Sequence, residues 1–429
     1  MLRENLSIIS WNVTGKCNLR CGHCYLPARF VPSVAGDAAA ADGADELDNA
    51  QALRLIDQIA LVNPETMLIL SGGEPLLRRD IYELASHARH KGMMVVAGTN
   101  GTLVDEAAAR RMKESGISGV SIGLDSATAE IHDGVRAFPG AWAAAVNAAR
   151  LCKSQGLSVQ INTVVTSRNL AGIPALIEFA EELGAKVFSP FFLVCTGRAE
   201  ELTDITAGQY EEVLSFIAGL GGNHLEMMIR TRCAPTMRRI LHQRNPGSPL
   251  LQMDTGRCLA GHTYCRITPD GTVTACPYLP LPLGNVRTSD FGDIWKTSPV
   301  LESLRTAEGA LKGKCGACEY RLLCGGCRAK AYSLKNDYLG EDPWCAYSPA
   351  GGDVIKPPRL AAEDAADAGA RPRWSEEAME RLGRVPFFVR SMVKAAVERY
   401  AAERGCNEIT PEMMEELKSR VRRPAMDGH

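Results

Sequence analysis

Short apolar runs alternate with longer amphipathic segments over the first two hundred residues, a rhythm that predicts strands followed by helices. Strands are predicted at residues 7–13, 66–70, 93–98, 119–124, 158–165 and 186–194. Helices, several of them closed by a glycine, are predicted at residues 80–91, 105–115, 141–155 and 173–183. Six strand–helix units imply parallel strands with helices outside. Because a closed barrel needs eight units, we expect an α/β fold with a partial, open (β/α)6 barrel.

The pattern changes beyond residue 200 and divides the rest of the chain. The barrel is expected at 1–200, a helical connector at 201–256, a small loop-rich and cysteine-rich domain at 257–347, a Pro/Ala/Asp-rich linker at 348–373 and a small C-terminal helical domain at 374–429. Two or three helices are expected in the last domain, with Pro386 between the first two and Gly405 ending the second. An Ala/Asp-rich stretch at residues 35–49 interrupts the first barrel unit and is expected to be a loop.

Charge and composition exclude several classes of protein. Lys and Arg total 48 against 50 Asp and Glu, so no net field attracts nucleic acid or an anionic membrane. No apolar stretch approaches the roughly 18 residues that a membrane span needs, and the start of the chain lacks the apolar core of a secretory signal. We therefore expect a cytoplasmic protein with neither nucleic acid nor a membrane span. In a reducing cytosol, fifteen cysteines more often hold metals than form disulfides.

Three of these cysteines lie on one short loop directly after the first predicted strand. Cys17, Cys21 and Cys24 have the spacing C-x3-C-x2-C. Three thiolates can bind three irons of a cubane, which leaves the fourth iron open to an exogenous ligand. A second element follows the next strand, at the end where barrels build their sites, and consists of Gly72, Gly73, Glu74 and Pro75. Its glycines let the backbone approach a ligand, and its carboxylate can accept an ammonium group.

Together, CNLRCGHCY and SGGEP resemble the radical S-adenosylmethionine (SAM) superfamily over roughly residues 7–200. The resemblance implies that SAM chelates the open iron of a [4Fe-4S] cluster. An electron from a low-potential donor such as ferredoxin or flavodoxin would then cleave SAM to a 5′-deoxyadenosyl radical, which abstracts hydrogen from the substrate. Further cofactor-binding residues that the resemblance implies are Tyr25, Asn100, Ser121, Asp125, Asn162 and Arg198. His23, inside the cluster loop, is expected to be a loop residue and not a ligand.

Eight further cysteines between residues 257 and 347 are enough for two four-thiolate sites. Paired CxxC elements also suit a tetrahedral zinc site, but the spacing here resembles the SPASM domain, which implies one or two auxiliary iron–sulfur clusters. By that resemblance one cluster would be held by Cys258, Cys265, Cys276 and Cys327, and the other by Cys315, Cys318, Cys324 and Cys345. The chain departs from the pattern in having two residues, not three, between Cys324 and Cys327. Pro269, Asp270 and Gly271 predict a hairpin turn before Cys276.

The remaining cysteines have no spacing typical of a metal site. Cys152 lies in a helical pattern and is expected to be a buried apolar residue. Cys195 follows the sixth strand and Cys233 lies in the connector, and either is a candidate for substrate binding or proton donation.

Segments around these cysteines also resemble particular radical SAM enzymes. CRITPDGTVTACPYLPLPLGNV, CGACEYRLLCGGCRAKAY and EDPWCAY are similar to enzymes of heme d1 and of anaerobic siroheme-dependent heme biosynthesis. This implies removal or oxidative decarboxylation of acetate or propionate side chains of an iron tetrapyrrole, with Arg198, Arg328 and Lys330 as candidate partners of its carboxylates. The tail from Trp374 resembles a small module of light-independent protochlorophyllide reductase, although a generic amphipathic helical cap has the same pattern.

Two alternatives stay open at this point. A SPASM-type peptide maturase usually carries a leader-binding module near its N-terminus, for which residues 1–8 leave no room. An iron–sulfur electron-transfer scaffold would not account for a three-cysteine site beside GGEP.

Replacing Cys17 with Ala should abolish SAM cleavage, because two thiolates do not hold a cubane with one open iron. The measurement is 5′-deoxyadenosine formed by anaerobically reconstituted protein with SAM and a strong reductant. Full retention of cleavage in Cys17→Ala would contradict the radical SAM interpretation.

Overall fold

The computed structural model describes residues 6–26, 28–32, 45–198, 205–220, 227–252, 258–357, 372–385, 393–394, 396–398, 400–402 and 404–422. Most of the predicted loop at 35–49, part of the predicted linker and Pro386 lie outside these residues. The strands are β1 (Ile8–Thr14), β2 (Lys16–Cys17), β3 (Arg29–Phe30), β4 (Met67–Gly72), β5 (Met94–Thr99), β6 (Ile117–Gly123), β7 (Ser158–Val165), β8 (Val187–Phe192), β9 (Met228–Ile229), β10 (Tyr264–Ile267), β11 (Thr272–Cys276), β12 (Leu279–Asn285), β13 (Arg373–Trp374) and β14 (Glu408–Ile409).

Helices lie between and after these strands. They are α1 (Asn49–Val62), α2 (Ile81–His90), α3 (Glu106–Glu114), α4 (Ala129–Arg136), α5 (Ala141–Ser154), α6 (Ile173–Glu182), α7 (Ala207–Leu220), α8 (Thr236–Arg244), α9 (Pro249–Gln252), α10 (Phe291–Thr297), α11 (Pro299–Arg305), α12 (Gly313–Ala317), α13 (Arg328–Lys335), α14 (Glu376–Arg384) and α15 (Pro411–Arg422). None of those described is both long and apolar enough to cross a membrane.

The six predicted strands are confirmed and form the parallel part of one sheet, in the order β1-β4-β5-β6-β7-β8. The four predicted barrel helices are confirmed as α2, α3, α5 and α6. The chain leaves each of them through a glycine in the left-handed region, where a side chain would be strained, at Gly92, Gly116, Gly156 and Gly184. In the described part of the chain the two outer strands of the sheet are β12 and β9, so the barrel is open, as expected.

Side chains along β1 alternate between the helix-covered core and the other face of the sheet. Ile9, Trp11 and Val13 are fully buried in the core cluster that the helices share. Successive side chains of a strand point to opposite faces, so Ser10 and Asn12 face away from that core. This second face is the concave interior of the partial barrel, and it is lined with polar groups.

The hairpin predicted at Asp270 is present as β10 and β11, and it extends the barrel sheet itself. β10 pairs in parallel with β1, with Ile9 opposite Cys265, and β11 and β12 follow in antiparallel pairing. The cysteine-rich region therefore continues the barrel wall beyond β1. Residues of β10 that share a face with Ser10 and Asn12 line the same interior.

The C-terminal segment has its own small core of six buried residues, Ala378, Leu382, Val397, Ala401, Ile409 and Met414. Of the two or three expected helices, α14 and α15 are described, and Gly405, which was expected to end the second helix, has a positive φ. β13 and β14 also form a two-residue parallel pair, which the prediction of an all-helical domain did not include. Strands this short carry no detectable alternation.

Candidate functional site

The loop after β1 carries the first three cysteines. Cys17 and Cys21 are buried, and Cys24 is half-buried. The backbone N–H of Leu19 donates a hydrogen bond to the Cys17 sulfur at 3.4 Å. Burial raises the pKa of the Cys17 thiol to about 12, so this sulfur becomes a thiolate at neutral pH only when a metal binds it. Buried sulfurs on one short loop, with a backbone N–H directed at one of them, fit an iron–sulfur cluster.

Gly73 and Glu74, directly after β4, connect this loop to the neighbouring strand by backbone hydrogen bonds. The N–H of Gly73 donates to the carbonyl of Thr14 at 2.9 Å, and the N–H of Glu74 donates to the carbonyl of Lys16 at 2.8 Å. A Cβ on Gly73 would lie 2.1 Å from the Lys16 carbonyl oxygen, and one on Gly72 would lie 2.5 Å from that of Thr14. Any side chain here would therefore push the cysteine loop away from β4.

Glu74 is fully buried beneath this contact, and Pro75 next to it begins a short 3-10 turn. Its carboxylate accepts hydrogen bonds from the N–H of Leu76 at 3.2 Å, the hydroxyl of Thr99 at 2.9 Å and the N–H of Asn100 at 2.8 Å. Burial raises the pKa of Glu74 to about 7. A carboxylate has about four acceptor positions, so these three donors leave room for a cationic ligand, which would stabilise the ionised form.

Asn100 connects the end of β5 to the cysteine loop. Its side-chain amide donates to the Asn18 carbonyl oxygen at 2.9 Å. Asn18, which lies between Cys17 and Cys21, donates in turn to the hydroxyl of Thr102 at 2.7 Å. The structure thus places Asn100 as a brace of the cysteine loop.

Ser121 and Asn162 lie on the polar face of neighbouring strands. Ser121 is opposite Gly98 in the register of β5 and β6, and a Cβ on Gly98 would lie 3.2 Å from its hydroxyl. Asn162 is opposite Gly123 on β6, and its carbonyl oxygen accepts a hydrogen bond from Gln160 at 2.7 Å. Because Gly98 has no side chain, the space next to the Ser121 hydroxyl on the interior face stays open.

Asp125 lies behind the cysteine loop in a buried ion pair. Its carboxylate is 2.8 Å from Nε of Arg136 on α4 and accepts a hydrogen bond from the N–H of Val164 at 3.0 Å. Burial acts to raise the pKa of Asp125, but the Arg136 guanidinium and the other neighbours of the carboxylate together lower it below its usual value, so the carboxylate is ionised. Arg136 in turn approaches the Cys21 sulfur at 3.8 Å. Arg136 was missed from the sequence because its contact is with a residue 115 positions away.

His23 completes this group from within the cysteine loop. Its Nε2 is 3.9 Å from the Asp125 carboxylate, and burial lowers its pKa to about 4. His132 accepts a hydrogen bond from the N–H of Asp125 at 3.0 Å, and burial lowers its pKa to about 4 as well. Both imidazoles are neutral at pH 7, so among the described neighbours of Asp125 it is Arg136 that keeps a positive charge there.

Arg198 and Gly197, just after β8, close over the last two cysteines of the loop. Nε of Arg198 donates to the carbonyl of Cys21 at 2.9 Å, and its backbone N–H donates to the carbonyl of Cys24 at 3.1 Å. Gly197 has φ +61, and a Cβ there would lie 2.6 Å from the Tyr25 carbonyl oxygen. Arg198 therefore anchors the loop backbone.

Tyr25 joins the cysteine loop to the cysteine-rich region. Its hydroxyl accepts a hydrogen bond from Asn12 at 3.1 Å, and its ring meets that of Tyr278 edge-on at 5.2 Å. The guanidinium of Arg266 lies 5.4 Å from the Tyr25 ring and donates to Asn12 at 2.5 Å. Tyr25 thus lines the interior where the barrel meets β10.

Three arginines that the sequence analysis did not single out lie around this junction. Arg266, on β10, is buried. Arg230 and Arg232 follow β9 and, being two residues apart in extended backbone paired with β8, share a face. Burial and the neighbouring Arg232 lower the pKa of Arg230 to about 9. Burial also lowers the pKa of Arg232, whose neighbours include Tyr264 on the interior face of β10. Desolvated cations that repel each other favour an anionic ligand.

The second cysteine region contains a separate cavity. Its lining includes four thiols, those of Cys315, Cys318, Cys324 and Cys345, and it measures about 380 Å³ including its open mouth. The N–H of Asp342 donates to the Cys315 sulfur at 3.4 Å, and the N–H of Tyr320 donates to the Cys318 sulfur at 3.4 Å. Arg239 and Lys314 also line the cavity, so its surroundings suit an anionic cluster.

The other predicted four-cysteine set is divided. Cys258 and Cys327 are both electrostatic neighbours of Cys276, and each raises its pKa in addition to burial. Cys265 is fully buried in the apolar core, and burial alone raises its pKa. Across the described residues, no three His, Cys, Asp or Glu side chains are close enough to hold a single metal ion.

Three other residues singled out from the sequence are buried, namely Cys152, Arg328 and Lys330. Cys152 is fully buried on α5, in agreement with its predicted core position. Arg328 is buried and donates to the carbonyls of Tyr338 and Gly340, both at 2.8 Å, so its guanidinium stabilises a loop. Lys330 is fully buried on α13.

Three family models match the chain. The model of the radical SAM superfamily matches residues 11–180, and that of the SPASM iron-sulfur cluster-binding domain matches residues 258–319. The model of the proto-chlorophyllide reductase 57 kD subunit matches residues 374–418. These matches coincide with the cysteine loop and its barrel, the second cysteine region and the C-terminal segment.

Curated relatives match most of the chain. An AdoMet-dependent heme synthase of Methanosarcina barkeri is 36% identical over 350 residues, covering 80% of this chain and 97% of the relative. An AdoMet-dependent heme synthase of Nitratidesulfovibrio vulgaris is 38% identical, covering 80% and 92%. A pre-heme d1 synthase of Dinoroseobacter shibae is 30% identical, covering 79% and 85%. The solved structure of Streptococcus suis SuiB bound to S-adenosylmethionine shares the fold, with a TM-score of 0.60 at 18% identity, covering 79% and 77%.

Replacing Gly73 with Ala should destabilise the protein and displace the cysteine loop, because the new Cβ overlaps backbone atoms of Lys16. Overpacking of this kind lowers the free energy of unfolding by about 1–3 kcal/mol. Thermal unfolding and the iron content after anaerobic reconstitution would both report it. The matched control is Gly22→Ala in the same loop, where a Cβ meets nothing within 4 Å. Unchanged stability and iron content in Gly73→Ala would show that the loop tolerates the displacement.

Proposed function

The chain belongs to the radical SAM superfamily and carries a SPASM iron–sulfur domain, and from this premise we propose that it removes or oxidatively decarboxylates acetate or propionate side chains of an iron tetrapyrrole. Two relatives that this chain matches over nearly their whole length are named AdoMet-dependent heme synthases. The observation that carries the proposal is the group of desolvated cations Arg230, Arg232 and Arg266 at the barrel interior. A substrate with several carboxylates supplies the anions that this group favours.

In this proposal Cys17, Cys21 and Cys24 hold the [4Fe-4S] cluster that binds SAM. When bound, the cluster supplies the electron that cleaves SAM into methionine and a 5′-deoxyadenosyl radical. Glu74 accepts the amino group of SAM, because its buried carboxylate lies beside the loop and keeps an acceptor position open. Gly72 and Gly73 allow that approach.

The other candidate residues divide into two roles. Ser121 and Asn162 offer polar groups on the interior face where SAM would lie, and Tyr25 forms the wall between SAM and the cysteine-rich region. Asn100, Asp125 and Arg198 are positioning residues, since each acts on the cysteine loop directly or through Arg136. The charge of Arg136 near Cys21 also stabilises a thiolate ligand.

The carboxylates of the substrate would be bound where the barrel meets β10. Arg232 and Arg266 are linked through a chain of neighbours, since Arg232 is near Tyr264, Tyr264 is near Tyr25, and Arg266 lies over the Tyr25 ring. Carboxylates held here would face the interior beside the cysteine loop. This placement suits hydrogen abstraction from a side chain of the macrocycle.

Oxidative loss of a propionate carboxyl group requires an electron acceptor. Hydrogen abstraction followed by loss of CO2 leaves one electron per side chain, and a cluster held by Cys315, Cys318, Cys324 and Cys345 would be able to accept it. Ferredoxin or flavodoxin is the proposed donor for SAM cleavage, since that step needs a low-potential electron.

The proposal predicts a defined mass change in an iron tetrapyrrole. Reconstituted protein, SAM, a strong reductant and a panel of iron porphyrins with acetate and propionate side chains would be incubated anaerobically and analysed by mass spectrometry. We expect loss of a side chain or of CO2 from one member of the panel, together with 5′-deoxyadenosine. Deoxyadenosine with every porphyrin unchanged would contradict the substrate class and favour a peptide substrate, as expected of a maturase.

Replacing Arg232 with Gln should weaken substrate binding, because a carboxylate loses its charged hydrogen-bond donor. The loss of about 1.5–3 kcal/mol corresponds to roughly 10- to 100-fold in affinity. Porphyrin titration by absorbance measures it, while SAM cleavage without substrate should be unchanged. The control is Arg244→Gln, an exposed arginine at the end of α8. Equal affinity of the two variants would remove Arg232 from the substrate site.

SAM affinity should depend on pH through Glu74. Because its pKa is raised from 4.5 to about 7, the carboxylate is mostly protonated at pH 6 and mostly ionised at pH 8. An ammonium group binds the ionised form, so the dissociation constant of SAM should fall as the pH rises through 7. Equilibrium binding from pH 6 to 8 tests this. The Glu74→Gln variant should bind SAM more weakly and with a flatter pH profile, and a matching slope in both proteins would contradict the assignment.

A further inference from the structure

A cysteine outside the SPASM pattern lies against one inside it. The thiols of Cys233 and Cys327 are in hydrogen-bonding contact, although 93 residues of chain separate them in sequence. Cys233 belongs to the connector after β9, and Cys327 is the residue that caps α13. Spacing alone gave no reason to associate Cys233 with a metal.

The backbone holds Cys233 in a conformation that few residues other than glycine adopt. Its φ is +57, in the left-handed region that is strained for a residue with a Cβ. The hydroxyl of Tyr210 donates to its carbonyl at 3.4 Å, which helps to fix the turn. Strained residues persist where the surrounding structure holds them, and they cluster at ligand sites.

Two further thiols lie around this pair. Cys258 and Cys276 are each electrostatic neighbours of Cys327, and Cys258 and Cys276 are neighbours of each other. Tyr278, whose N–H donates to the Cys276 sulfur at 3.5 Å, also has Cys233 as a neighbour. Four cysteines from separate segments therefore meet in one region. No three of them are arranged to hold a single metal ion, whereas a cubane holds its thiolates farther apart because irons and sulfides lie between them.

Cys265 points away from this group. It lies opposite Ile9 in the parallel pairing of β10 with β1, and both side chains are fully buried in the same apolar core. Its neighbour Tyr264 occupies the other face of β10. The SPASM pattern would use Cys265 as the fourth ligand, but its sulfur would have to cross the sheet to join Cys258 and Cys276.

A buried cation without a hydrogen-bond partner among the described residues lies beside the group. Lys330 is fully buried, and its ammonium has no hydrogen-bond partner in the described part of the chain. Its Nζ is 4.2 Å from the centre of the Tyr210 ring, and its charge acts on the Cys327 thiol. The nearby carboxylate of Asp342 accepts hydrogen bonds from the N–H groups of Cys327 and Trp344. A buried ammonium needs an anion, and a cubane held by four thiolates carries a net negative charge.

We propose that Cys233, Cys258, Cys276 and Cys327 hold a second auxiliary iron–sulfur cluster, that Cys265 is not one of its ligands, and that Lys330 compensates its charge. The inference goes beyond the proposed function because it concerns metal content and holds for any substrate.

Iron content in a protein without the SAM-binding cluster tests the ligand set. The full-length variant Cys17→Ala/Cys21→Ala/Cys24→Ala would be reconstituted anaerobically and analysed for iron, sulfide and zinc, and by Mössbauer spectroscopy. Two auxiliary cubanes give about eight irons per chain. Adding Cys233→Ala should reduce this to about four, while adding the control Cys265→Ala should leave about eight. About four irons before any further change, zinc in the site, retention of eight irons in Cys233→Ala, or loss of four in Cys265→Ala would each overturn the proposal.

Two further variants keep the test decisive if Cys233→Ala folds poorly. Cys233→Ser nearly preserves the size of the side chain and should change the electron paramagnetic resonance signal of one reduced cluster, and an unchanged spectrum would contradict ligation. Lys330→Met removes the positive charge and should make the midpoint potential of that cluster more negative. An unchanged potential would overturn the role of Lys330. The porphyrin assay is independent of these readouts, so a negative result here leaves the proposed function standing.

Discussion

Close backbone contact between the loops after two neighbouring strands determines the site. The N–H groups of Gly73 and Glu74 bond to carbonyls of Thr14 and Lys16, and the space between the loops admits no side chain at Gly73. This contact fixes the start of the cysteine loop against the end of β4. It also brings Glu74 close to Cys17, and the negative charge of its carboxylate acts to raise the pKa of the Cys17 thiol. Parallel pairing of β1 with β4 makes the contact available, because the two strands end at the same edge of the sheet.

The rest of the cysteine loop is held by residues from the ends of later strands. Asn100 follows β5, Asp125 follows β6 and Arg198 follows β8, and each contributes a hydrogen bond or an ion pair to the loop or its supports. Buried polar groups must be paired, so this network favours one loop conformation strongly. A rigid loop is what an open iron site requires, since the three sulfurs must keep their spacing when the fourth position changes its ligand.

The cysteine-rich region is part of the same wall. Because β10 pairs with β1, Arg266 and Tyr264 are placed beside Asn12 and Tyr25, and Cys276 on β11 is an electrostatic neighbour of both Arg266 and Tyr264. The hairpin supplies Arg266 and Cys276, whereas Arg230 and Arg232 follow β9 at the opposite edge of the sheet. A single continuous sheet carries both the strand that precedes the cysteine loop and the hairpin that bears Cys276.

The sequence by itself determined the six strand–helix units, the hairpin at Asp270 and the cysteine loop next to GGEP, because alternation, glycine positions and short ligand spacings are local properties of the chain. The resemblance of CNLRCGHCY and SGGEP then indicated the superfamily. Only the tertiary structure decided which residues meet across long separations, such as Arg136 with Cys21 and Cys233 with Cys327. It also decided that Cys265 and Tyr264 face opposite ways, since a strand turns successive side chains to opposite faces and the pairing with β1 selects which face is the core. Spacing records how far apart ligands are along the chain, whereas the sheet decides on which side each of them lies.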